Sequence, residues 1–236
     1  MAALLMSGCK SAPTSTARSN LGAVGAPAAA MPAPARDLTL PQADPRVPFE
    51  QYARIDRGDQ VACLYYAVAA LPVDYEKMAR IVSEEYRAAN DEFRKRELMA
   101  ALKPRVDGMI DEFHRNRYVH ASLSGVSLEH YDFKTTSFPV NSPWRDEGSY
   151  IYFGGNVGYT IAFTNGQRFH SLPMADEAAA RALEARVAHY DNVQTGEVYF
   201  FAQGADMNGD RVKCQIVKVA LRDRRANVVA ELRPEE

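Results

Sequence analysis

Two histidines and an aspartate, His120, His130 and Asp132, fall within one short stretch of the chain. That stretch alternates apolar and polar residues and reads as two strands, Tyr118–Leu123 and Leu128–Phe133, joined around Gly125. If Val119, Ala121 and Leu123 face the core together with Tyr131 and Phe133, alternation sends His120, His130 and Asp132 to the opposite face. A three-residue loop centred on Gly125 then sets His120 directly across from His130, with Cβ atoms about 4.5–5.5 Å apart. Two imidazoles and a carboxylate so placed suit zinc or copper, or an acid/base pair working near neutral pH. The same residues also suit the solvent-facing side of a half-buried sheet, which needs no ligand.

Other chemistry is sparse in the sequence. It contains no G-x-S-x-G, no G-x-x-x-x-G-K-[ST], no H-E-x-x-H and no C-x-x-C. Gly154–Gly158 is glycine-rich but lies between two strands and opens no helix, so it reads as a hairpin connection rather than a phosphate cradle. Asp206, Asn208 and Asp210 resemble the start of a calcium loop. An EF-hand would then require Gly and Glu where the chain has Arg211 and Val217. Asn208-Gly209 between strands predicts a type I′ hairpin turn instead. No catalytic residue is assigned, and the reading leans away from an enzyme.

Three further positions carry alternatives. Cys63 and Cys214 pair as a disulfide if the chain is exported, closing a loop of about 150 residues. Both sit in apolar runs, ACLYYA and KCQIVKV, and two buried free thiols fit equally. Trp144 and Arg145 lie in the turn-rich segment 138–147, a candidate interface anchor. The alternative is a Trp that caps the sheet.

The first ten residues, MAALLMSGCK, resemble the end of a bacterial lipoprotein signal, with Leu5, Met6, Ser7 and Gly8 leading to a lipidated Cys9. Met6 replaces the commoner Leu, no Lys or Arg precedes the apolar run, and the run is about five residues long against the usual 7–15. Between Lys10 and Arg46 stand ten Ala and six Pro with no helical or strand period, a composition that cannot bury a core and reads as a disordered tether. Extended, it reaches on the order of 100 Å. By analogy with lipoprotein signals, the resemblance implies the periplasm-facing side of the outer membrane, since Lys10 stands after the cysteine in place of the Asp associated with inner-membrane retention.

Positioning these residues requires an α+β domain from Val47 to Glu236, after a signal remnant at residues 1–9 and a tether at 10–46. Its first half reads helical. Val61–Leu71 is apolar nearly all round and ends at Pro72, predicting a buried helix. Asp74 caps a second helix, whose stripe Tyr75, Met78, Ala79, Val82, Tyr86, Ala89 and Phe93 recurs at three- and four-residue steps. The stripe slips after Phe93 and resumes from Leu98 to Phe113, with Pro104 marking a kink or a fresh N-terminus. From Arg117 the period becomes two, giving strands also at 149–153, 159–163, 197–202, 211–221 and 228–232, with one helix at about 175–189. Helices first and then a mainly antiparallel sheet carrying one more helix is an α+β arrangement.

Phe49-Glu-Gln-Tyr52, Leu64-Tyr-Tyr-Ala67, Asn90-Asp-Glu-Phe-Arg-Lys-Arg96, His130-Tyr-Asp-Phe133 and Val198-Tyr-Phe-Phe201 together resemble a family of functionally uncharacterised bacterial envelope proteins. The likeness covers nearly all of the domain and attaches no chemistry to any motif. With 28 Lys and Arg against 30 Asp and Glu, the chain has no basic excess with which to hold nucleic acid. No run approaches the roughly 18–20 apolar residues of a membrane-spanning helix. The expectation is a lipid-anchored envelope protein, attached to the membrane through Cys9, whose domain binds a protein or other envelope component. The alternatives are a metal protein using His120, His130 and Asp132, and a binder of small apolar ligands.

Overall fold

A computed structural model describes residues 40–144, 149–154, 158–189 and 192–234. These form an α+β domain with five α-helices and two sheets among the described residues. No helix among them is long and apolar enough to cross a membrane.

The packed chain begins by Leu40, earlier than the boundary read at Val47. The Ala43 amide donates to Gln215 Oε1 at 2.8 Å and the Asp44 amide to the Tyr118 hydroxyl at 2.8 Å. The Gln203 side chain reaches Pro41 O at 2.8 Å. Ala/Pro composition hid this strap because side chains of the sheet, not its own, fix it in place. A 3-10 turn at Phe49–Gln51 leads into β1 (Ala53–Arg54).

Helix α1 (Gly58–Ala69) is the central core element, with Val61, Ala62, Cys63 and Leu64 all fully buried. An apolar surface all round the helix demands that burial. Gln60 Oε1 accepts from the amides of Asp56 and Arg57 at 3.0 and 3.1 Å, and Ala70 ends the helix in the left-handed region at φ 52°. Pro72 then prevents its continuation.

Asp74 caps α2 (Tyr75–Val82) as predicted, accepting from the Lys77 amide at 2.9 Å. The single helix expected to run through Phe93 is instead broken twice. Ser83 turns extended and caps α3 (Glu84–Ala88) through its hydroxyl; Asp91 then caps α4 (Glu92–Arg115). Short polar side chains offer the backbone an alternative to the helix ladder, so they end one helix and start the next. The slipped stripe therefore marks a new N-terminus at Asp91. Pro104 lies inside the continuous α4, on its exposed side. Phe93, placed on the apolar stripe from sequence, is 78% exposed.

Seven strands make the main sheet: β1, β2 (Tyr118–Ser124), β5 (Tyr150–Tyr152), β6 (Thr160–Phe163), β8 (Thr195–Asp206), β9 (Arg211–Arg222) and β10 (Val228–Leu232). Their order is β1-β2-β8-β9-β6-β5. The free side of β9 is shared, its first half pairing parallel with β6 and its second half antiparallel with β10. Strands β3 (Ser127–Leu128), β4 (Ser137–Asn141) and β7 (Ser171–Pro173) form a separate small sheet, with α5 (Glu177–Ala188) following it.

One face of the main sheet carries α1 and, beyond it, Trp144. Val198, Phe200, Val212, Ile216 and Ile161 are fully buried there against the helix side chains. The β8–β9 hairpin forms at Asn208-Gly209, but its loop has four residues and only Asp210 takes a positive φ, 48°. A type I′ turn needs positive φ at both central residues, so that turn type is not adopted.

Candidate functional site

The residues predicted to face the core from β2 do so: Val119 and Ala121 are fully buried and Leu123 nearly so. His120 accordingly points to the other face. Its pairing partner, however, is Tyr199 of β8 rather than His130. The rings stack with centroids 5.3 Å apart at 13°, and His120 Nδ1 lies 2.5 Å from Glu197 Oε1, both side chains largely buried. The expected hairpin fails because the twelve-residue β8, rich in aromatic and β-branched residues, pairs with the whole length of β2. After Gly125 (φ 77°) the chain leaves for the small sheet, where the Asn192 side chain brackets the Leu128 backbone at both N–H and C=O.

His130 and Asp132 are correspondingly separated from His120. His130 Nδ1 lies 2.6 Å from Glu184 Oε1 on α5. Asp132 closes a turn, accepting from the Lys134 amide at 2.8 Å and the Thr135 hydroxyl at 3.1 Å. The Lys134 amide holds the Asp132 carboxyl below the usual carboxylate range. The zinc or copper set read from His120, His130 and Asp132 is therefore not assembled. Among the described residues no group of three or more His, Cys, Asp or Glu is arranged to hold a metal ion.

What the 129–137 turn does build is a groove against α5, of about 640 Å³, lined by His130, Tyr131, Phe133, Ala180 and the stems of Glu177, Arg181 and Glu184. Tyr131 is fixed at both ends: its amide donates to Glu184 Oε2 at 2.9 Å and its hydroxyl to Met174 O at 3.0 Å. Its ring meets Phe138 and Phe133 edge-on, both with centroids 5.0 Å away. The bonds from His130, first, and from the Tyr131 amide hold the Glu184 carboxyl below its ordinary range. Phe133, placed in the core from sequence, is 84% exposed at the groove mouth.

A second cleft, of about 450 Å³, lies between the two ends of the main sheet. Arg54–Asp56 and Ser122–Ser124 line one side, and Tyr150–Gly154 the other. The Gly58 amide donates to Gly154 O at 3.0 Å, which ties the start of α1 to the residues that follow β5.

Trp144 is a core residue. It is 2% exposed and its indole N–H donates to Phe169 O at 3.4 Å, so it serves the fold rather than offering an interface anchor. Arg145 and Cys9 lie outside the described residues. Cys63 and Cys214 are buried and unbridged, which corrects the disulfide alternative. Burial, reinforced by Asp59, pushes the Cys63 thiol up to about 12, and burial alone raises Cys214.

Sequence reading missed one titratable cluster entirely. Lys77 Nζ sits 2.8 Å from Asp210 Oδ2 and 4.3 Å from the centre of the Tyr159 ring. Behind it the Tyr159 hydroxyl donates to the Tyr66 hydroxyl at 3.1 Å, and burial raises the Tyr159 hydroxyl far above its ordinary value. Its members come from α1, α2, the residue preceding β6 and the β8–β9 loop, so no linear spacing announces it.

Comparison with protein-family models, with curated proteins and with solved structures finds no match to this chain.

Proposed function

We propose that this chain is a bacterial envelope protein whose domain from Leu40 is a binding module for a protein partner, tethered through residues 10–39 to a lipid on Cys9, on the periplasmic side of the outer membrane. The observation that carries the binding role is Phe133. It stands in water on a turn pinned by Asp132, Glu184 and Met174, so the apolar surface is presented rather than merely loose. Leaving such a ring solvated forgoes about 25 cal/mol per Å² of apolar area, which an apolar side chain of a partner entering the groove recovers. The Glu177–Arg181 pair at 2.6 Å and Glu184 supply the polar rim.

Two measurements test this reading. Intact mass of the protein from its native envelope should begin at Cys9 with added acyl mass; a chain retaining Met1 without acyl mass removes the anchor. A photo-crosslinking residue at position 133 should capture one protein partner in the envelope, and Arg181→Trp, a bulky ring at the exposed groove rim, should abolish the adduct while leaving the melting curve unaltered. The same residue at exposed Arg105 on α4 is the comparison. Equal adducts at 133 and 105, or none at 133, remove the groove as the binding site.

A further inference from the structure

The β5–β6–β9 corner of the main sheet carries two rows of outward side chains, Tyr152–Thr160–Arg211 and Tyr150–Ala162–Lys213, aligned by register across both strand pairs. Tyr159, Ile161 and Val212 alternate with them and are buried on the α1 side. Tyr150 and Tyr152 are 46% and 62% exposed and meet edge to face with centroids 5.4 Å apart. The Arg211 guanidinium lies 5.0 Å from the centre of the Tyr150 ring.

This corner leaves hydrogen-bonding capacity unmet. Neither Arg211 nor Lys213 has a carboxylate partner among the described residues. Asp206, beside Arg211 in register, accepts from the Asn208 amide, and Asp210 is held by Lys77. Within the first row the Thr160 hydroxyl is buried without a partner among the described residues. Met207, 65% exposed, stands on the adjoining hairpin loop.

The chain also enters the domain at this corner. Leu40 packs alongside Gly204, the register partner of Lys213. Leu40, to which residues 10–39 lead from Cys9, therefore lies one strand from Lys213, on the side of the corner that carries the two cations.

We propose that this corner docks on the anionic phospholipid surface to which the chain is tethered, with Arg211 and Lys213 on headgroup phosphates and Tyr150, Tyr152 and Met207 in the headgroup layer. Amphipathic tyrosines favour that layer, and phosphate suits both cations. The proposal rests on the lipid-anchor reading. One acyl signal and a cationic face act together, because the tether raises the effective concentration of the face at the bilayer.

The test uses the full chain with Cys9→Ser, so that no acyl chain holds it to lipid. It is sedimented at low salt with vesicles of phosphatidylglycerol and phosphatidylcholine, and with vesicles of phosphatidylcholine alone. Binding to the first only is expected, weakened about fivefold by Arg211→Gln or by Lys213→Gln. Tyr150→Ser with Tyr152→Ser should weaken it further, and Arg105→Gln on α4 should leave it unchanged, with unaltered melting curves showing that each variant folds. Absence of phosphatidylglycerol-dependent binding, or binding indifferent to Arg211 and Lys213, overturns the proposal. Equal competition by soluble glycerol phosphate also overturns it and assigns the corner to a free anion. Acyl mass on Cys9 of the native protein without vesicle binding removes this face alone; vesicle binding without acylation removes the anchor and keeps the face.

Discussion

The Trp144 indole lies on Gly196 so closely that a Cβ at position 196 would come within 2.8 Å of Cη2 and 3.2 Å of a Val219 methyl. Both neighbours are buried and neither is the free end of a flexible chain. Gly196→Ala is expected to destabilise the domain by about 1–3 kcal/mol, the usual range for overpacking. For a domain of this size that is a fall in Tm of roughly 3–10 °C in a calorimetric scan. Gly166→Ala should be worse, because its Cβ meets the Trp144 carbonyl oxygen, which cannot rotate away. A Gly196→Ala protein melting at the wild-type temperature would show that Trp144 does not sit where described.

The contrast between Trp144 and His120 shows which parts of this molecule can be read locally. Asp74 as a cap, Val61–Ala67 as a buried helix and Val228–Leu232 as a strand depend on near neighbours in sequence, and all three are present. The β5–β6 hairpin is present for the same reason. The face of His120 was legible from alternation, but its partner was not, since Tyr199 is far along the chain and wins through the length of β8. Phe93 and Phe133 misled because apolar identity was taken as burial, and both stand in water. The tyrosine and cation rows of β5, β6 and β9 need a parallel pairing of β6 with β9, which no pattern within either strand encodes.

Glu184 links the groove turn to α5 and should give the domain a measurable acid sensitivity. Its carboxyl is held below the ordinary carboxylate value by the His130 bond first and the Tyr131 amide second. A folded-state value below the unfolded one, near about 4.3, means stability that is complete above that pH and lost as pH falls through the lowered folded value. Glu184 is about a third exposed and His130 mostly so, hence screening keeps the contribution to about 1 kcal/mol or less. In urea titrations, Glu184→Gln should be less stable than wild type at pH 6, by a margin that shrinks as pH falls below the ordinary carboxylate value. A difference that grows as pH falls would contradict this account.

Pro104 predicts a substitution of opposite sign. It lies within the 24-residue α4, where it can donate no bond to the preceding turn, and its ring faces solvent. A proline in a helix interior is about 3 kcal/mol less favourable than alanine, partly offset because proline also restricts the unfolded chain. Pro104→Ala should therefore raise stability by about 1–2 kcal/mol, read as a higher urea midpoint with an unchanged slope. A lower midpoint would mean that the proline bends α4 into a packing the straight helix loses.

Cys63 and Cys214 test the core directly. Cys63 is fully buried in α1 and its thiol is pushed up to about 12, so at pH 8 about one in 10⁴ is thiolate even before access is considered. Cys214 is fully buried in β9 and shifted in the same direction. In a Cys9→Ser chain, an aromatic disulfide reagent should therefore find no reactive thiol in the native state and two after denaturation without reductant. Two thiols released only with reductant would mean that the sulfurs are bridged. Early reaction of one thiol would mean instead that α1 or β9 opens locally, and because both elements bury the same cluster, that opening should also bring forward the exchange of the β8–β9 amides.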